Sequence, residues 1–167
     1  VDADPQANAT SGLGVDKKAV TVGSHQFLLE EAPPEKVIRP TEIQNLSLIP
    51  SNEDLMGAEV ALVSEIGREG KLKRALTPFT AQFDFVFIDS PPSLGLLTVN
   101  ALVAADSVII PMQCEYFALE GLSQLIRTID LVRERLNPQL ALRGVLLTMA
   151  DFRTNLTDQV VQEVRNF

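Results

Sequence analysis

Three short apolar runs, Phe83–Ile88, Ser107–Pro111 and Leu142–Met149, are separated by stretches with helical periodicity. This alternation restricts the fold more than any other feature of the chain. Each run is rich in β-branched or aromatic residues, the pattern of a strand buried in a parallel sheet. Leu46–Ile49, closed by Pro50, reads as a fourth strand, and Val1 as the last residue of a fifth. Glu53–Glu65, Lys71–Phe79, Leu94–Ala104, Leu119–Leu136 and Thr154–Phe167 read as helices. Ser51-Asn52 and Ser93 supply cap signals. In the longest helix Leu122, Leu125, Ile129 and Val132 form one stripe, and Arg127, Arg133, Glu134 and Arg135 lie off it. Alternation at this spacing predicts an α/β fold: a doubly wound, mostly parallel sheet with helices on both faces and right-handed crossovers. Residues 23–40, punctuated by Pro33-Pro34 and Arg39-Pro40, are expected to be a surface excursion with a short helix at Ser24–Glu31. No repeat or linker divides the 167 residues, which are expected to form a single domain, 1–167.

Charge and cysteine content narrow the function. A net charge of −8 gives an average field that repels nucleic acid and anionic membrane. Lys71, Lys73 and Arg74, with Arg68, are the one dense basic cluster and read as the wet face of a helix. Cys114 has no cysteine partner, and His25 is the sole histidine, which leaves little room for thiol catalysis. A chain with one cysteine and no apolar run near the roughly 18 residues of a membrane span is expected to be cytoplasmic.

Open α/β sheets bind ligands at the carboxyl ends of their strands. Three constellations fall there. Phe83-Asp84-Phe85-Val86-Phe87-Ile88-Asp89-Ser90-Pro91-Pro92 is an apolar run ending in an aspartate, where phosphoryl-transfer sites hold Mg²⁺ directly or through its water. Val1-Asp2-Ala3-Asp4-Pro5 places two carboxylates at i and i+2; one could orient a metal-bound water and the other position or deprotonate an attacking water. Turn chemistry explains either aspartate equally well. A calcium loop does not, because its glycine would fall on Ala7 and its bidentate glutamate on Leu13. The third, Thr148-Met149-Ala150-Asp151-Phe152-Arg153, ends a strand with an arginine that either meets a phosphate or pairs with Asp151 or Asp158, the latter favoured by spacing. Beyond these, Tyr116 and Phe117 either contact a partner or staple the next helix to the core. Neither G-x-x-x-x-G-K-S/T nor G-x-G-x-x-G occurs.

Together these blocks resemble the ParA/Soj family of chromosome- and plasmid-partitioning ATPases, members of the deviant P-loop superfamily. The segment from Val1-Asp2-Ala3-Asp4-Pro5-Gln6-Ala7-Asn8 to Gly14 is similar to the family's VDLDPQGNATSGLG. Phe87-Ile88-Asp89-Ser90-Pro91-Pro92-Ser93-Leu94 follows, then Asn100-Ala101-Leu102, the stretch from Pro111 to Gly121, and the stretch from Thr148 to Thr154, in the family's order. The resemblance implies ATP and Mg²⁺ as cofactors. It makes Asp4 and Asp2 the catalytic pair, with Asp2 on the metal side, Asp89 the aspartate that contacts Mg²⁺ through water, and Thr148 and Met149 neighbours of the adenine. It also implies a homodimer formed on ATP binding, a ParB-type partner that stimulates hydrolysis, nonspecific DNA as the intact protein's track, nucleoid association, and no membrane. The family's KGGVGKT-type loop and its C-terminal region are not in these residues, so the chain is expected to be a fragment with little or no ATPase activity. Ala7 stands where the family has glycine, a small change if the backbone there has negative φ. Two other readings stay open: a noncatalytic nucleotide-fold binding module, and a Min-type cell-division positioning ATPase.

Overall fold

A computed structural model describes residues 1–115, 118–151, 153 and 155–165. It falls into two units, Val1–Ala105 and Asp106–Phe167. In the first, the short helices α1 (Asn8–Gly12), α2 (Ser24–Leu28) and α3 (Pro34–Val37) precede a small antiparallel pair, β1 (Arg39–Pro40) with β2 (Ser47–Leu48). Three longer helices follow: α4 (Leu55–Leu62), α5 (Lys71–Leu76) and α6 (Leu96–Ala104). The core gathers Phe27, Leu28, Val37, Ile49, Leu55, Ala58, Leu62, Leu72, Leu76 and Leu97. The stretch 23–40 is therefore no mere surface excursion: Phe27, Leu28 and Val37 bury there, because α2 packs against α4 and α5 and α3 packs against α2.

Asn100 binds this unit together. Its amide donates to the carbonyls of Arg68 and Leu96 at 2.8 and 2.9 Å, and its oxygen accepts from Leu72 N–H at 3.1 Å. A buried amide satisfied on both sides fixes the approach of α5 to α6. The start of α6 is also set from a distance. Ser93 does not cap it; instead Oε1 of Glu59 accepts from Leu96 N–H at 2.8 Å, supplying the carboxylate a helix N-terminus favours.

The expected strand at 83–88 is extended but not buried. Val1 N–H donates to Phe87 O at 2.7 Å, Asp89 N–H to Val1 O at 2.9 Å, and Ala3 N–H to Asp89 O at 2.7 Å, a parallel bridge between Asp2 and Asp89. Among the described residues no segment pairs with its other edge. Phe85 and Phe87 share one side at i, i+2 and are 80% and 74% exposed, touching each other with ring centroids 6.5 Å apart.

In the second unit β3 (Ser107–Gln113) and β4 (Ala141–Thr148) form a parallel pair with an irregular register between Val108 and Ile109. Ile110 and Met112 are buried, while Ile109 and Leu146 are exposed. The amphipathic α7 (Ala118–Arg135) buries Leu122, Ile129 and Val132, as its stripe predicts, with Leu125 half-buried. The carbonyl of Val132 accepts from both Leu136 and Asn137 as the helix ends before Pro138. It meets α8 (Asn155–Arg165). Parallel pairing joined by a helical crossover makes the fold α/β.

Candidate functional site

The loop after the Val1–Ala3 segment is closed on the first of its own aspartates. Asp2 is wholly buried, and its carboxylate has three donors. Oδ2 accepts from Thr10 N–H at 2.7 Å and from Thr10 Oγ1–H at 2.6 Å; Oδ1 accepts from Asp4 N–H at 3.2 Å. Charge-assisted bonds of this kind are about twice as strong as neutral ones. Asp2 is thus spent on holding the loop rather than turned out toward a metal. Its backbone is held as well, with N–H donating to Ile49 O at 3.0 Å and C=O accepting the Ser24 hydroxyl.

Asp4 sits at the mouth of the loop. Its Oδ1 accepts from Gln6 N–H at 2.9 Å, and its carbonyl accepts from Ala7 N–H at 2.9 Å, an Asx-supported turn around Pro5. Oδ2 of Asp4 accepts no bond from the described residues. Lys17 Nζ steadies the tip by donating to Gln6 O at 2.9 Å. At Ala7 the backbone is left-handed, φ 55° and ψ 42°, so the replacement of the family's glycine falls where a Cβ is strained.

Asp89 completes the group. It adjoins Asp2 through the parallel bridge, and its carboxylate accepts no hydrogen bond from the described residues. Partial burial lifts it above the ordinary aspartate value; the charges of Asp2 and then Asp4 lift it further, and the Val1 amino group partly opposes them. Among the described residues no three His, Cys, Asp or Glu side chains are grouped to hold a metal unaided. A partly exposed carboxylate with unfilled lone pairs, crowded by two others, nevertheless fits a hard divalent cation that keeps its waters and takes phosphate oxygens. Asp89 meets that test better than Asp2.

Thr148 and Met149 lie in the second unit, at the carboxyl end of β4. The Thr148 hydroxyl donates to Met112 O at 3.3 Å, and Met149 is 83% exposed with φ 52°. Nearby, Arg153 grips Asp151 in a two-pronged pair at 2.8 and 2.6 Å, which holds Asp151 below the usual carboxylate range. The pairing favoured by spacing is the one observed. Tyr116 and Phe117 lie outside the described residues. The basic cluster is wet only in part, since Lys73 and Arg74 are exposed while the Lys71 side chain is largely covered: Lys71 meets Glu65 at 3.2 Å, Arg68 meets Glu69 at 3.1 Å, and Arg74 meets Glu30 at 3.9 Å.

Two participants escape a reading of sequence alone. Thr10 feeds Asp2 twice and its Oγ1 accepts from Ser51 N–H at 2.8 Å, linking the loop to the exit of β2. Ser51 is buried, and its own hydroxyl has no hydrogen-bond partner among the described residues. The one signal in sequence was a hydroxyl eight residues after a buried carboxylate, which is too common to stand out.

Carboxylates gathered where parallel segments end suit the ligand edge of an open α/β sheet, and the proteins similar to this chain place it in the P-loop nucleoside-triphosphatase class. The family described as AAA domain matches residues 1–142. The chromosome partitioning protein ParA of Myxococcus xanthus is 54% identical over all 167 residues, and the sporulation initiation inhibitor protein Soj of Bacillus subtilis is 53% identical. The chain belongs to this AAA domain family, among its ParA/Soj homologues. It spans 59% and 66% of those two relatives' lengths. The structure of cobyrinic acid a,c-diamide synthase from Mycobacterium smegmatis, solved with an ATP analogue and magnesium, superposes with a TM-score of 0.93. It is 44% identical, and the match covers 99% of this chain and 67% of that one. A plasmid partition protein from Borrelia burgdorferi gives 0.81 at 26% identity, covering 99% and 71%.

Proposed function

We propose that this chain forms part of an ATPase that partitions chromosomal or plasmid DNA through an ATP-driven dimer switch with weak Mg²⁺-dependent hydrolysis. The observation that carries the reading is the Asp2–Thr10–Asp4 loop, braced against the strand end bearing Asp89, in a chain 54% identical to a ParA protein. Asp4, free at Oδ2, orients the attacking water or takes its proton. Asp2 fixes the loop that carries Asp4. Asp89 holds Mg²⁺ through its water, and the ion, when bound, neutralises charge on the phosphates. The family resemblance assigns the adenine contact to Thr148 and Met149. The family match over 1–142 includes residues of both units, which supports treating them as one α/β domain.

The partners proposed are those the resemblance to the ParA/Soj family implies: a second copy on ATP binding, a ParB-type activator, and DNA on the nucleoid of the cytoplasm. With no G-x-x-x-x-G-K-S/T among them, these 167 residues by themselves hydrolyse ATP little or not at all. Amide synthesis, suggested by the M. smegmatis structure's name, is the weaker reading, since the partitioning relatives reach higher identity.

A chimera tests this. The 167 residues replace their counterparts in the M. xanthus relative. The expected result is plasmid or chromosome partitioning with slow ATP turnover. Asp4→Ala should cut turnover by about 100-fold or more while ATP is still bound. A chimera that binds ATP and turns over normally with Asp4→Ala would remove Asp4 from the mechanism.

A further inference from the structure

A helix that is apolar on every side needs cover on every side. The eight residues of α4 read Leu-Met-Gly-Ala-Glu-Val-Ala-Leu, with a single charge. Its inner face, Leu55, Ala58 and Leu62, is buried in the core. Its outer face is not. Met56, Val60 and Val63, at i, i+4 and i+7, lie in one stripe with more than half of each side chain in solvent, and Ile66 just beyond is 96% exposed. Four large aliphatic side chains in a row are a patch, and patches of this kind mark interaction sites.

Charge selects the occupant. Residues 53–66 contain Glu53, Asp54, Glu59 and Glu65 and neither lysine nor arginine. The lysine and arginine that follow the helix are already paired, Arg68 with Glu69 and Lys71 with Glu65, and Arg68 also donates to Val63 O. A second copy would offer Glu53 and Asp54 only basic groups that its own carboxylates already hold, on a chain whose net charge is −8. An amphipathic helix with a basic rim meets both demands, apolar seam on apolar stripe and ammonium or guanidinium groups on Glu53 and Asp54.

We propose that the outer face of α4 docks a cationic amphipathic helix of a partner protein. This surface uses none of the residues assigned to nucleotide chemistry, so it stands or falls independently of that assignment. The test is fluorescence anisotropy on the 167-residue chain with a labelled Leu/Lys amphipathic helix of about 18 residues, five turns. A scrambled peptide of the same composition, with no apolar face, is the control. The amphipathic peptide should bind about tenfold or more tightly than the scramble. Val60→Asp and Met56→Asp, checked for folding by circular dichroism, should each weaken it about tenfold. Both variants add a carboxylate, so attraction by charge alone would instead tighten binding. Glu53→Lys should weaken binding at low salt and much less at about 0.5 M salt. Equal affinity for the scramble, or unchanged or tighter binding to Val60→Asp, overturns the proposal. So does sedimentation showing a wild-type dimer that Val60→Asp dissociates, which would assign the face to a second copy.

Discussion

The amide and the hydroxyl of Thr10 both donate to the same oxygen of Asp2, at 2.7 and 2.6 Å, and that hydroxyl accepts in turn from Ser51 N–H at 2.8 Å. One side chain therefore serves a buried carboxylate and a buried amide at once. Thr10→Val keeps the shape, removes one of the three donors to Asp2 and strands the Ser51 amide. It should cost about 2–3 kcal/mol, the penalty for leaving a buried partner unsatisfied. Thr10→Ser keeps the hydroxyl and should cost less than about 1 kcal/mol. Urea denaturation of the two variants beside the parent chain separates these outcomes; equal losses would mean the hydroxyl contributes nothing.

Ala7 sits in the left-handed region with its side chain buried. A β-branched residue is poorly tolerated there, and the site has no room for extra carbons. Ala7→Val should destabilise by about 2–3 kcal/mol through backbone strain and overpacking. Ala7→Gly should be near neutral: about 1–2 kcal/mol of relieved strain is offset by the lost methyl and by glycine's greater chain entropy. Thermal unfolding monitored by circular dichroism reads both.

The carboxyl of Asp89 is raised above 3.8, chiefly by burial and then by Asp2 and Asp4. Its folded form therefore holds a proton more tightly than its unfolded form. Between the unfolded and the folded value, stability falls as pH rises, and above that window the loss is complete. Asp89→Asn removes this dependence and should stabilise the chain at neutral pH, by no more than about 1 kcal/mol because the group is partly screened by water. Stability measured from pH 3 to 7 for both chains (about one unit either side of the ordinary carboxylate range) should show a gap that opens with rising pH. A gap that closes would reverse the assigned sign.

Gly95 has space for no side chain while Glu59 holds its place: a Cβ there would collide with Glu59 Oε1. Gly95→Ala pushes the carboxylate off the start of α6, and Glu59→Ala deletes it. Each should cost about 1 kcal/mol, the worth of a helix cap. The double variant should cost little more than either alone, because both remove the same bond. Additive losses would show that the cap is not what Gly95 protects.

The reading of sequence and the structure diverge for physical reasons that can be traced residue by residue. Periodicity located α4 to α8 to within a few residues and found β3 and β4, since those elements owe their character to local pattern. It also placed Asp2, Asp4 and Asp89 at segment ends, where prolines break the chain. It misjudged 83–88, because an apolar run looks the same whether or not a second strand pairs with its free edge, and here Phe85 and Phe87 face solvent. It missed the core role of Phe27, Leu28 and Val37, which lie in helices too short to show a period.

What the sequence by itself determined is the class of chemistry: which residue types stand at which strand ends, and in what order. Tertiary structure alone gave the three aspartates different surroundings. Hydrogen bonds from Thr10 and Asp4 commit Asp2 to the loop, while Asp89 keeps its lone pairs free beside it. Those donors come from backbone and hydroxyl groups up to eight residues away. Their reach depends on a turn through left-handed Ala7, which no pattern of side chains announces.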